Sequence, residues 1–313
     1  MQTSGTVKPL GLIRRISDAL FIRPKLLLFL LLMPPLLWLG VIYLGSLLNL
    51  LIYSFYSIDD FTGQVQYQFT LSTLRQLVSS PANLDVVLRT LYMSLAVSIA
   101  CAVIAFPIAY HMAFYTRGNV KTFWYLAILL PLWSSYLVRV YAWRLILAKE
   151  GVISWFFNVL GLGWVLDGIL SLPAIGGPSL SSSYIGMFLV FVYVWLPYMI
   201  LPIQAALERV PKSLMQASSD LGARPAQTFR TVILPLAIPG VAAGSIFTFS
   251  LTLGDYIIPG VVGTPGFFIG QMVYTQQGTA GNIPLAAAFS VVPIILISLY
   301  LALARRLGAF DAL

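Results

Sequence analysis

From Tyr256 to Ala304 the chain runs 49 residues without an Asp, Glu, Lys or Arg, and comparable gaps cover Leu26 to Ile58 (33 residues), Thr90 to Thr116 (27) and Thr231 to Gly254 (24). Each is longer than the ~20 residues that cross ~30 Å of hydrocarbon as a helix. Only 9% of the 313 residues are charged, against roughly 25% in a soluble domain. The chain therefore reads as an integral membrane protein. A transmembrane barrel would need alternating segments of about 10 residues, and these runs do not alternate. Helices are then the remaining way to satisfy the backbone inside lipid.

Six spans are expected, near residues 26–55, 88–115, 122–147, 184–206, 238–262 and 284–304. Arg139 and Arg144 interrupt the third, and the Pro34-Pro35 pair should kink the first. The first run far exceeds the apolar core of a signal peptide, so an uncleaved anchor is expected. The basic residues bunch on one side of the resulting topology. Lys8, Arg14, Arg15, Arg23, Lys25, Arg117, Lys121, Arg209, Lys212, Arg224, Arg230, Arg305 and Arg306 make 13 of the 18. By the positive-inside rule both termini face the cytoplasm. Anionic lipid accounts for the +8 net charge, and no nucleic acid contact is expected. The organisation is thus a basic segment 1–25, a transmembrane domain 26–306 and a short tail 307–313. The loop 148–183, rich in Gly and Pro, should carry short interfacial helices.

Several chemistries have no residues to perform them. The chain holds one histidine (His111) and one cysteine (Cys101, inside the second span), so neither a His/Cys metal cluster nor an intrachain disulfide is expected. The dipeptide Gly-Lys is absent, which removes a Walker A loop. Neither G-x-S-x-G nor H-E-x-x-H occurs. The chain is not expected to be an enzyme or to bind a cofactor.

Residues 207–236 stand apart from this apolar background. Pro211 suits a first helical turn, Gly222 the left-handed position after a helix end, and Pro225 the first turn of a second helix. Leu214, Ala217 and Leu221 recur at i, i+3 and i+7, and Phe229, Val232 and Ile233 at i, i+3 and i+4, giving each arm an apolar face. A cytoplasmic helix-turn-helix between the fourth and fifth spans follows.

This segment resembles the coupling motif of permease subunits of binding-protein-dependent ABC importers: Glu-Ala-Ala, three residues, Gly, nine residues, Ile-x-Leu-Pro. Gln216-Ala217-Ser218 is followed by three residues, Gly222, nine residues and Val232-Ile233-Leu234-Pro235. Gln replaces Glu and Ser replaces the second Ala, while the spacing is kept. Residues 131–154 and 250–263 are similar to the third and fifth spans of spermidine/putrescine-type permeases. The resemblance implies that Leu214, Gln216, Ala217, Ser218, Leu221, Gly222, Ile233, Leu234 and Pro235 couple to a cytoplasmic ABC ATPase dimer, which would hold ATP and Mg. It also implies a second permease subunit, expected to be a different chain, and a periplasmic solute-binding protein. The implied function is inner-membrane import of a small solute, best a polyamine such as putrescine or spermidine. Alternatives are an amino-acid derivative or other organic solute, or secondary transport of a small cation or amino-acid-like solute, although one intramembrane carboxylate and no repeat fit the last poorly.

Candidates for solute contact come from buried charge. Asp255 lies 16 residues beyond Pro239 and Arg139 lies 18 beyond Lys121, which on straight helices puts them about 24 and 27 Å deep. Intramembrane ionisable groups are functional candidates by default. Two roles are open for Asp255: an ion pair with Arg139 or Arg144, or, with Tyr256 and Tyr136, a wall of a pathway for a cation.

Overall fold

The computed structural model describes residues 21–59, 61–173, 175–264 and 266–306. The basic segment before residue 21 and the tail 307–313 lie outside the described residues. The chain divides into two units, Met1–Tyr53 and Ser54–Leu313. In the first, one apolar helix, α1 (Pro24–Tyr53), contains the expected disturbance. Pro34 and Pro35 sit inside it, and the seven residues Trp38–Leu44 immediately beyond adopt π geometry. A proline removes a backbone donor and crowds the carbonyl four residues back, and a π turn is one way a helix absorbs this.

The second unit opens with a two-stranded hairpin, β1 (Ser57–Ile58) and β2 (Val65–Gln66), followed by α2 (Ser72–Ser79). The remaining spans are α3 (Pro81–Tyr115), the pair α4 (Gly118–Trp133) and α5 (Tyr136–Ile146), α8 (Tyr184–Glu208), α10 (Pro225–Gly254) and α13 (Ile283–Arg306). Short helices α6 (Val152–Val159) and α7 (Gly163–Leu170) fill the loop before α8. The helix α9 (Lys212–Asp220) precedes α10, and α11 (Ile257–Val261) and α12 (Ile269–Gly278) follow it. Among the described residues five helices, or six if the α4–α5 pair is one span, are long and apolar enough to cross a membrane. The all-helical membrane architecture expected from the charge gaps is therefore present.

Two boundaries depart from expectation for identifiable reasons. The third span is not straight: α4 and α5 meet at 94°. Pro131 lies in the last turn of α4, Ser134 and Ser135 are extended, and the Ser134 hydroxyl donates to the Pro131 carbonyl at 2.7 Å. The fifth span begins at Pro225 and stops at Gly254, where residues 238–262 had been expected. The 49-residue uncharged run, Tyr256–Ala304, is consequently divided among two short helices and α13.

The core is built by α3, α8 and α10, which pack on one another. Inside lipid the tails are as apolar as the side chains, so helices associate through close van der Waals packing. Small residues of α3 supply that closeness: Ser94, Ser98, Cys101, Ala105 and Ala109 recur on its buried face. The expected position of Cys101 is observed, fully buried against the Val192 carbonyl. Gly240 and Gly244 give α10 the same property against α8. A Cβ on Gly240 would lie 2.5 Å from the Ala206 Cβ and 2.7 Å from the Pro202 carbonyl oxygen, and one on Gly244 would lie 2.7 Å from the Met199 sulfur. Hydroxyls add a cross-link, Thr248 Oγ1 donating to Ser98 Oγ at 3.2 Å.

Gly240→Val is expected to destabilise the detergent-purified protein by about 1–3 kcal/mol, the usual range for overpacking. Gly254→Ala, whose Cβ would meet nothing within 4 Å, should leave the melting temperature unchanged. Equal melting of Gly240→Val and wild type would overturn the close approach.

Candidate functional site

The segment 207–236 forms a hairpin as its punctuation predicts. Pro211 precedes α9, and the helix ends with Leu221, Gly222 and Ala223 donating to the carbonyls of Ala217, Ser219 and Ser218. Gly222 has φ +78°, the left-handed region where a Cβ is disfavoured. Pro225 occupies the first turn of the second arm, and Arg224 N donates to Gln227 Oε1 at 2.8 Å. A 2.9 Å hydrogen bond between the Ser218 and Thr228 hydroxyls ties the arms.

The second arm is not a separate short helix. It runs into the membrane span through a π turn at Phe229–Ile233. Pro235 lies two residues past that turn, and in uninterrupted α geometry its ring would clash with the Thr231 carbonyl. The expected apolar stripe also divides. Ile233 is buried and Leu234 half-buried, whereas Leu214, Gln216, Ala217, Leu221 and Pro235 are exposed, Leu221 at 89%. The inward face of α9 is carried by Met215 and Ser218. Met215 and Phe229 pack on the bundle core, with Phe229 edge-on to Phe106 and Tyr110 at 5.7 and 6.0 Å between centroids. Leu214 and Leu221 are left as an apolar stripe aimed away from the chain's own core.

A polar cluster that the sequence reading missed lies beside the hairpin. Lys121 Nζ is 2.6 Å from Glu208 Oε1, and Gln204 Nε2 donates both to that oxygen at 2.8 Å and to the Tyr125 hydroxyl at 2.6 Å. It joins the start of α4 to the last turn of α8, just before α9. The i, i+4 spacing of Gln204 and Glu208 was the available signal.

At the other end of α10, Asp255 follows the helix in an extended conformation and is only 8% exposed. Its Oδ1 accepts the N–H groups of Ile257 at 2.7 Å and Ile258 at 3.1 Å, so it caps α11. Its Oδ2 accepts the Tyr136 hydroxyl. Among the described residues neither Arg139 nor Arg144 forms an ion pair with Asp255. The equal-depth estimate assumed a straight third span, and the 94° bend removes that premise. Arg139 lies over the Tyr136 ring, 6.0 Å from its centroid, with a buried Nε that has no partner. Trp195 is stacked on Tyr136 at 5.7 Å and also carries a buried Nε1 with no partner among the described residues. Tyr256 turns elsewhere and stacks on Tyr274 at 5.1 Å, both rings exposed. The structure thus groups Asp255, Tyr136 and Arg139 and separates Tyr256 from them. His111 stacks on Tyr115, and no group of His, Cys, Asp or Glu among the described residues could hold a metal.

The chain belongs to the binding-protein-dependent transport system inner membrane component family, whose family model matches residues 83–309. It is 62% identical over 299 residues to the inner membrane ABC transporter permease protein YdcU of Escherichia coli (strain K12), covering 96% of this chain and 95% of that protein. It is 29% identical over 249 residues to the spermidine/putrescine transport system permease protein PotB of the same organism, covering 79% and 86%. The putative 2-aminoethylphosphonate transport system permease protein PhnU of Salmonella typhimurium is 27% identical over 76% of this chain and 81% of its own. The fold is shared with a solved bacterial ABC transporter that imports the acidic polysaccharide alginate (TM-score 0.65, 15% identity, 93% of this chain and 99% of that chain). A second structure of an alginate transporter, in complex with an alginate pentasaccharide-bound periplasmic protein, gives TM-score 0.67 at 14% identity over 93% and 96%. The protein is a multi-pass inner-membrane permease subunit of an ABC importer, a transport subunit.

The role of Asp255 as a cap makes its substitutions separable. Asp255→Asn keeps an oxygen for the two N–H groups and should stay within about 1 kcal/mol of wild type, the difference between charged and neutral hydrogen bonds. Asp255→Ala strands those donors and the Tyr136 hydroxyl and should cost about 1–3 kcal/mol. In thermal unfolding, Tyr136→Phe should be less than additive with Asp255→Ala. Full additivity would mean that the hydroxyl and the carboxylate act independently.

Proposed function

We propose that this permease forms part of the pathway by which a polyamine such as putrescine or spermidine enters the cytoplasm, delivered by a periplasmic binding protein and driven by a separate ATPase dimer. The substrate assignment rests on the likeness to PotB, whose name gives spermidine and putrescine, over 79% of the chain. The mechanical assignment rests on the exposed Leu214 of α9 and Leu221 at its C-cap, beside the left-handed Gly222. ATP and Mg belong on the ATPase, and this chain holds neither. A second permease, of a different sequence, completes the pathway. The basic end, with Arg117, Lys121, Arg209, Lys212, Arg305 and Arg306, faces the cytoplasm together with both termini. The exposed Tyr256 and Tyr274 pair would then stand near the outer mouth, where an aromatic face attracts an ammonium by about 0.5–1 kcal/mol. Attraction of that size holds a cation briefly without trapping it.

The test is uptake of labelled putrescine by the complex reconstituted in liposomes with its ATPase, companion permease and binding protein. Accumulation that depends on ATP and on the binding protein is expected. ATP hydrolysis that proceeds without polyamine accumulation would overturn the substrate, and uptake of 2-aminoethylphosphonate instead would favour the relationship to PhnU.

In the same complex Gly222→Val should impose about 1–2 kcal/mol of backbone strain on the turn. Its Cβ meets nothing within 4 Å, so insertion and assembly should survive while solute-stimulated ATP hydrolysis falls. Normal stimulation in that variant would exclude this hairpin from coupling.

A further inference from the structure

A polar cavity of about 290 Å³ lies at the end of the bundle away from the basic loops, lined by Arg144 of α5, Ser181 and Ser182 of the turn before α8, Gly260 and Thr264 at and after α11, and Gln271 of α12. Its walls are fixed by hydrogen bonds. Ser181 N donates to the Leu147 carbonyl at 2.9 Å, Gly263 N donates to the Ser181 carbonyl at 2.9 Å, and the Thr264 hydroxyl reaches the Ser182 carbonyl at 3.5 Å. Two of its functional groups are nevertheless unused. Arg144 makes no ion pair among the described residues, and no carboxylate lines the cavity to offset its charge. Gln271 Oε1 is buried with no hydrogen-bond partner. A buried amide oxygen left this way loses the free energy of a hydrogen bond unless something enters to donate to it.

We propose that this cavity is a binding site for a carboxylate that carries a hydrogen-bond donor beside it. The guanidinium fork of Arg144 matches a carboxylate in two parallel hydrogen bonds. The Ser182 hydroxyl stands on the same wall as a further donor. Rotation of the Gln271 side chain toward the cavity it lines lets Oε1 accept the N–H or O–H of the ligand. A diamine fits poorly, because the guanidinium repels it and no acid compensates, so this site is distinct from a polyamine path. The required group occurs in a small hydroxy- or amino-acid and equally in an acidic residue of a protein that docks there, where the backbone N–H is the donor. The free-ligand case is independent of the function proposed above, and the protein case rests on it through the periplasmic binding protein.

The probes are lactate, propanoate and propane-1,3-diamine, titrated against the full-length permease in nanodiscs of uncharged lipid and read by saturation-transfer NMR. Lactate is expected to bind more tightly than propanoate, and the diamine not at this site. Arg144→Gln should weaken lactate by about tenfold or more, the loss expected for a hydrogen bond to a charged group. Gln271→Leu should abolish the preference for lactate over propanoate, and Lys149→Gln, which removes a nearby exposed charge outside the cavity, should change nothing. Arg144 is exposed and makes no ion pair among the described residues, so its variant should melt as wild type does. If no free carboxylate binds, docking of the binding protein should weaken about tenfold in Arg144→Gln but not in Lys149→Gln, more at low salt than at high, which assigns the carboxylate to the protein. Arg144→Gln that alters neither lactate binding nor docking, or diamine binding that competes with lactate, overturns the proposal. Failure of polyamine uptake in liposomes would leave the lactate result untouched.

Discussion

A helix that stops among buried side chains must find partners for its backbone groups within the protein, and the arrangement around Asp255, itself buried, depends on this rule. The chain breaks after Gly254, and the next helix begins three residues later. Its first N–H groups would be stranded. The Asp255 carboxylate takes two of them, and Tyr136 donates to its other oxygen. Capping therefore fixes both the break and the neighbour, since Tyr136 begins the helix beyond the 94° bend. A similar device works nearby, where the Thr90 hydroxyl of α3 accepts the N–H of Ile269 at the start of α12. Two interrupted spans are thus held in register by side chains that replace missing helical carbonyls.

Much of this fold was legible because a charge-free run reports its solvent directly. The ends of α3, α8 and α13 fall within a few residues of expectation except at Pro81, where the polar first turns of α3 extend beyond the apolar run. The hairpin at Gly222 was legible because proline and glycine restrict backbone angles locally, without reference to tertiary context. The bend at Ser134 and the break at Asp255 were not legible as such. Hydropathy measures transfer from water and is nearly blind to direction, so one uncharged stretch can hold a span, a reversal and two short helices.

The site residues divide along the same line. Spacing identified Leu214, Ala217 and Leu221 as one face of α9, but not which way that face points. Their exposure is set by Met215 and Phe229, whose contacts with the core lie far away in sequence. For Asp255 the sequence offered two positive partners, and the structure supplied a phenol. An arginine was the obvious complement by charge. A carboxylate already holding two N–H groups is partly neutralised by them, and a neutral donor can complete its shell.

The π turn at Phe229–Ile233 joins the exposed hairpin to a membrane span in one continuous helix. Such a turn contains one more residue than an α turn, and each α residue accounts for about 100° of rotation and 1.5 Å of rise. Expelling that surplus residue would swing everything before it around the helix axis by roughly a quarter of a revolution. The span beyond the turn could remain locked at Gly240 and Gly244 while this happened. The helix thereby contains its own phase adjuster, between the exposed hairpin and the packed part of the span.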